Sequence, residues 1–455
     1  MLLSNQPAVA FDTGPMSRLN RPGTRYTSYP TPDRFSDAFG YRDYLHAVAG
    51  LRTRGGARPL SLYLHIPFCG TRNRERAATY LGYLKREIQM LGRLFAGMNE
   101  VAQLHLGGGP SACLTDAQMD DLMAHLRRCF PFAPGAADEC SIEVDPRSVS
   151  PARVCTLRRQ GFSRIVLGVH DFDAEVQKAV SRIQPESETR AIVDAAHGAG
   201  FRSVGIDLVY GLPRQSFDTM QATLDKVIAQ NPDRISLYRY TDLPQLSRSR
   251  RRIRAADMPD AAAMLRILRS CAERLTGAGY LYIGTDDFAR PGDDLAQARR
   301  QGQLHRNLQG CSTHADTNLV SCGVSAISAV GATYSQNAKD LASYYDAIDC
   351  NELPVARGVR LSMDDALRRT VIQKLMCDFE VDIPAIEQAF PIVFDSYFAC
   401  ELARLADLER DGLLVVGPAS IAVTEKGRLL VRTACMVFDR YLAARDGQPR
   451  RSPGP

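Results

Sequence analysis

The sequence predicts an α/β protein: a (partial) TIM barrel of parallel strands carrying a small, mostly helical C-terminal domain. Three observations lead there. From about 59 to 290, short β-rich runs alternate with amphipathic stretches at roughly 35 residues per unit, the pattern of a parallel sheet with crossover helices. Residues able to do chemistry sit at or just past the ends of those runs, where such barrels collect their function. After about residue 345 the alternation stops and helical patterns take over.

The elements follow in order. The candidate strands are LSLYLHIPF (60–68), QLHLGGG (103–109), SIEVDP (141–146), RIVLGVHDF (164–172), SVGIDLVYGLP (203–213), RISLYRY (234–240) and YLYIGTDDFA (280–289). Helical patterns lie between them at 76–95, 116–130 and 216–230. In the first, Leu81, Leu84, Ile88 and Leu91 share one face at helical spacing. We place an N-terminal segment over 1–50, packed on the barrel, and the barrel domain over 51–345. Residues 346–445 form a winged-helix-like domain with a small hairpin and helix in 413–442. The polar tail 446–455 reads as disordered.

Composition excludes several classes of function. Of 455 residues, 45% are hydrophobic and 24% charged, ordinary values for a globular protein, and the net charge is only +5. The basic run LSRSRRRIR (246–254) reads as a solvated face. Tryptophan is absent and aromatics make up 7%, so no stacking platform for nucleic acid is expected. No apolar run reaches the ~18 residues of a membrane span, and the N-terminus lacks a basic segment followed by an apolar one. The expectation is a cytoplasmic protein. Its twelve cysteines contain no C-x-x-C pair, and no two are closer than eleven positions. Most should behave as small buried hydrophobes.

Single motifs leave their roles open. HLGGGP (105–110) could bring backbone N–H groups close to an anion, or could be a tight connection. Glu143 and Asp145 put two carboxylates on one side of a strand end, for ligand binding or for an ion pair. Asp207, inside an apolar strand, must find a partner or shift its pKa. HRNLQG (305–310) suits anion binding or loop hydrogen bonding equally.

Taken in order, RYTSYPTPDRF (25–35), SLYLHIPFC (61–69), LHLGGG (104–109), SIEVDPR (141–147), GVHDFDAEVQ (168–177), IDLVYGLP (206–213), FARPGDDL (288–295), HRNLQG, GVSAIS (323–328) and TEKGRLLVR (424–432) resemble the oxygen-independent coproporphyrinogen III oxidase (dehydrogenase) family. The resemblance runs from about 20 to about 445. It implies a radical S-adenosylmethionine barrel in which a [4Fe-4S] cluster cleaves S-adenosylmethionine. The implied reaction is oxidative decarboxylation of two propionates of coproporphyrinogen III to vinyl groups, performed by a monomer.

One departure is large. The family carries three cluster cysteines spaced C-x3-C-x2-C, and only Cys69 has a counterpart here; the other two positions are Asn73 and Arg76. The flanking segments look intact, as after an in-frame loss of about a dozen residues. A cluster needs three thiolates with one iron left open; asparagine is a poor ligand and arginine does not deprotonate. His65 lies on the same strand face but gives no third ligand. The expectation is a tight connection from Cys69 into a helix starting near 73–76, and impaired catalysis. The alternative is a cluster-less paralogue that binds tetrapyrrole or haem without turnover.

Residue by residue, the resemblance assigns Tyr63, Gly108, Gly109, Glu143, Arg182, Asp207 and Ile327 to S-adenosylmethionine contacts, with Pro110, His170 and Thr241 as altered positions of the same kind. It places Leu308 and Gln309 near the substrate. The four propionates of that substrate call for a cationic lining of the barrel mouth, for which Arg182 and Arg306 are the candidates.

Overall fold

Along β1 (Leu60–His65) every second side chain is leucine. Leu60, Leu62 and Leu64 are fully buried beneath the helix Arg74–Leu94, whose Leu84, Ile88 and Leu91 belong to the same core. Each such burial contributes about 1.5–3 kcal/mol. Ser61, Tyr63 and His65 alternate with the leucines and so face the other way. The same division recurs in β2 (Val101–Gly107), β3 (Cys140–Val144), β4 (Arg164–His170), β5 (Ser203–Tyr210) and β6 (Arg234–Arg239). One face is apolar and covered by helices; the other carries Gln103, His105, Ser141, Glu143, Asp207, Ser236 and Tyr238.

These observations come from a computed structural model describing residues 25–53, 58–68, 74–98, 100–109, 114–135, 139–240, 253–315 and 317–442. Strands β1 to β6 pair in parallel, each with the next in sequence. They form the centre of a twelve-stranded sheet. The expected helices appear at Arg74–Leu94, Asp116–Cys129 and Phe217–Ala229. The latter two start in capping boxes at Thr115 and Ser216, which satisfy orphan N–H groups at their N-termini.

The seventh candidate strand departs from expectation. Residues 280–289 break at Gly284 and Thr285, both with positive φ, into a hairpin of β7 (Leu281–Gly284) and β8 (Asp287–Ala289). β8 then pairs antiparallel with β6, so the parallel run ends there. A second short hairpin, β9 (His305–Asn307) with β10 (Gly310–Ser312), leads to β11 (Asn318–Cys322), which pairs in parallel with β1. Beyond it, β12 (Ile327–Val330), β13 (Thr333–Asn337) and β14 (Val355–Arg360) finish the sheet antiparallel. The sheet therefore extends past residue 345, and the helical region begins at Met363.

Ion pairs close the end where the strands begin. Arg164 meets Glu139 at 2.9 Å and also Asp294, and Arg234 meets Asp293 at 2.8 Å.

The C-terminal region runs helix (Met363–Asp378), strand β15 (Glu380–Asp382), helices, then the hairpin of β16 (Leu414–Val416) and β17 (Ser420–Val423). Its core, built on Leu375, Phe394, Phe398 and Phe438, also takes in Ile283 and Ala289 of the β7–β8 hairpin and Tyr26 and Tyr29 of the N-terminal segment. The tail 446–455 and most of the basic run 246–254 lie outside the described residues. Among the described residues, no helix is long and apolar enough to cross a membrane.

Candidate functional site

The inward faces of the strands enclose a cavity of about 150 Å³, lined by His105, Glu143, Asp207, Ser236, Tyr238, Asp287 and the β9–β10 hairpin, among others. Its lining reaches down to the ion-paired floor at Glu139, Arg164 and Arg234.

Glu143 is the centre of the first half of the site. It accepts from His105 Nε2 at 3.1 Å and from the Gly108 N–H at 3.3 Å. Burial pushes its carboxyl up, but the His105 hydrogen bond and charge, the Gly108 N–H and the charge of His65 outweigh that and hold it below the usual range. His105 is fixed by Ser141 at 2.6 Å and stacks on Tyr63, ring centroids 5.7 Å apart. The Tyr63 hydroxyl meets His65 Nδ1 at 3.0 Å, and burial lowers the His65 pKa. Gly108, with φ +97°, packs against the His65 ring so closely that an added Cβ would collide with it. The glycine run thus serves close approach rather than only a turn.

Asp207 sits deeper. Burial, then Glu143 and Asp287, push its carboxyl well above the ordinary value, the opposite direction to Glu143. Two carboxyls in one cleft are driven apart by their surroundings. Asp287 accepts from Ser236 at 2.8 Å.

Arg182, expected to meet a ligand carboxylate, donates to Asp145 at 3.0 Å and to the Gly168 carbonyl. Asp145 also takes a fork from Arg147, at 2.6 Å for the shorter arm, and is buried; it is an ion-pair residue. His170 ends β4 with φ +73°, at a register shift between β4 and β5. Ile327 opens β12 and packs, with Leu308, on Phe35, Tyr334 and Leu361.

The loop 305–310 resolves in favour of internal hydrogen bonding. Gln309 accepts from Ser61 at 3.2 Å, and Asn307 accepts the Gln309 N–H at 2.8 Å. Arg306 is buried and faces Asp286 at 3.5 Å and Asp287 at 3.6 Å, donating to Thr285 at 2.8 Å. Its charge is spent inside the protein, so it does not line the mouth. Cys69, Pro110 and Thr241 lie outside the described residues.

Sequence reasoning missed His105, Tyr238 and Asp287. For the first two the signal was present: Gln103, His105 and Gly107 share a face of β2, as Arg234, Ser236 and Tyr238 share one of β6. Asp287 was hidden by the unrecognised hairpin.

The helix expected after Cys69 starts at Arg74, and Arg76 is exposed in its first turns. Among the described residues, no group of three or more His, Cys, Asp or Glu side chains is placed to hold a metal ion. Cys322 is fully buried on β11, and Cys140 is buried at the start of β3, the floor end of the barrel. The described donors do not fit an iron–sulfur cluster.

Known proteins now bear on this geometry. Residues 67–227 match the Radical SAM superfamily model and 361–430 the HemN C-terminal domain model. The oxygen-independent coproporphyrinogen III oxidase of Pseudomonas aeruginosa is 44% identical, over 97% of this chain and 98% of that protein. Its Escherichia coli counterpart is 45% identical over 95% and 96%. A solved structure of the E. coli enzyme, described as a radical SAM enzyme, superposes with a TM-score of 0.88 over 96% of this chain and 100% of that one. On a barrel and C-terminal region alike end to end, the chain belongs to the oxygen-independent coproporphyrinogen III oxidase family and has its radical SAM fold.

Proposed function

We propose that this chain is a tetrapyrrole-pathway member of the family that keeps the S-adenosylmethionine cleft but is impaired in radical catalysis. The observation that carries this is the thiolate count. The helix begins at Arg74, the family-spaced positions are Asn73 and Arg76, and Cys69 is the one cysteine of the motif left. A single thiolate does not hold a [4Fe-4S] cluster.

The two cofactors of the family are therefore treated unequally. The S-adenosylmethionine side is furnished: Tyr63, Gly108 and Gly109 line the wall at the strand ends, and an ionised Glu143 suits a ribose hydroxyl or an amine. Arg182 reaches a ligand carboxylate only by sharing its guanidinium with Asp145. Asp207, whose carboxyl burial pushes up, and Ile327 belong to the same side, with His170 at the end of β4, and Leu308 and Gln309 border the substrate side. Without an anchoring iron, S-adenosylmethionine binds through these contacts alone and more weakly than in a cluster-bearing relative. The substrate class is coproporphyrinogen III or a related tetrapyrrole, handled by a cytoplasmic monomer, and the retained cleft favours binding without turnover.

The test measures S-adenosylmethionine binding by calorimetry and 5′-deoxyadenosine release on anaerobically reconstituted protein. Saturable binding, weakened by Glu143→Gln, with no release above a protein-free blank supports the reading. Release that Cys69→Ala abolishes overturns it.

A further inference from the structure

The cleft of a protein that takes a polycarboxylate should offer a cation, yet the expected ones are committed. Arg182 and Arg147 share Asp145, Arg306 faces Asp286 and Asp287, and Arg164 and Arg234 form the floor. The cavity also carries the acidic side chains Glu143, Asp207 and Asp287.

Arg25 is different. It opens the motif RYTSYPTPDRF, and it is exposed. Its guanidinium carbon lies 4.7 Å from the ring centroid of Tyr238, the last inward residue of β6, at the end where the strands finish. It makes no ion pair with a described residue. Its charge is felt by Asp207, whose carboxyl burial, Glu143 and Asp287 nonetheless push up.

The segment that delivers Arg25 is firmly held. Tyr26 donates to Asp439 at 3.0 Å, the Tyr29 hydroxyl accepts the Arg440 N–H at 3.2 Å, and Arg34 donates to the Tyr441 carbonyl at 3.1 Å. Further on, Ser36 and Gly358 exchange backbone hydrogen bonds at 2.8 and 3.0 Å. The strap therefore crosses from the C-terminal region to β14 and sets Arg25 on Tyr238.

We propose that the Arg25 guanidinium, laid over Tyr238 at the barrel mouth, is the carboxylate-binding site of the cleft. A guanidinium held over an aromatic ring without an ion-pair partner can still turn its fork of N–H donors to a carboxylate, whose geometry that fork matches. The carboxylate comes from a tetrapyrrole propionate or from the methionyl end of S-adenosylmethionine. The proposal rests on the cleft being the ligand site, as argued above.

The experiment titrates full-length protein and Arg25→Gln with coproporphyrin III and its tetramethyl ester by absorbance, and with S-adenosylmethionine by calorimetry. The expected result is an about tenfold loss of coproporphyrin III affinity in Arg25→Gln, an unchanged ester, and partial recovery in Arg25→Lys. Loss confined to S-adenosylmethionine assigns the site to the methionyl carboxylate instead. Wild-type affinity of Arg25→Gln for both carboxylate ligands overturns the proposal, as does equal weakening of acid and ester, which marks a structural role. Wild-type protein that binds neither ligand removes the cleft reading together with the site; binding that Arg25→Gln leaves intact removes the site alone.

Discussion

The Tyr80 hydroxyl donates to the His65 carbonyl at 2.6 Å and accepts the Val324 N–H at 3.1 Å. One side chain thus ties the helix Arg74–Leu94 to the strand before it and to the turn after β11. Phe68 packs edge-on against the same ring at 5.3 Å. One turn-pair along the helix, buried Glu87 accepts from the Gly323 N–H at 2.7 Å, Asn337 at 2.7 Å and Tyr344 at 2.6 Å. None of these anchors draws on residues 69–73.

Tyr80→Phe keeps the ring packing but leaves the Val324 N–H and one lone pair of His65 without this partner. Stability should fall by about 1–3 kcal/mol, read as a lower denaturation midpoint in urea. An unchanged midpoint would show that the clamp is not needed.

Glu87 should make stability depend on pH. Burial pushes its carboxyl up to about 7, against the Tyr344, Gly323 and Asn337 hydrogen bonds that favour the ionised form. Unfolded, it titrates near its ordinary 4.5. Between those values the folded chain holds a proton that the unfolded chain releases. Its contribution is therefore complete below about 4.5 and is lost as pH rises through about 7, by on the order of 3 kcal/mol. Asp207 and Asp171, also raised by burial, slope the same way. Urea denaturation from pH 5 to 8 should show a shallower slope in Glu87→Gln than in wild type; equal slopes would contradict the assignment.

Two glycines with positive φ separate backbone strain from the site. Gly97, φ +71°, has nothing within 4 Å of a built Cβ, whereas at Gly108, φ +97°, the Cβ meets the His65 ring. Gly97→Ala should cost about 1 kcal/mol. Gly108→Ala should cost more and also weaken S-adenosylmethionine binding, because His65 and the Gly108 N–H on Glu143 are both displaced. Thermal melts and calorimetry on the pair check this, and equal behaviour of the two would argue against Gly108 as a site residue.

Much of this was legible in the sequence, for physical reasons that also mark the limit. The alternation of Leu60, Leu62 and Leu64 with Ser61, Tyr63 and His65 announces a strand with one packed and one functional face, and five more strands repeat it. The 280–289 run misled because Gly284 and Thr285 turn the chain within a stretch of β-forming residues. Arg306 looked available because its partners, Asp286 and Asp287, arrive through that same hairpin. Arg182 likewise looked available until the fold brought Asp145 to it. Pairings made by tertiary structure leave no periodic trace, and the choice of Arg25 over Arg306 depends entirely on them.

The central claim is that this chain keeps the barrel of its family without the ligands for its cluster. Iron and acid-labile sulfide per chain, measured after anaerobic reconstitution and desalting, test it most directly. The account predicts no stoichiometric iron or sulfide and no charge-transfer absorption, in wild type and Cys69→Ala alike. About four irons and four sulfides per chain, lost on Cys69→Ala, would contradict it.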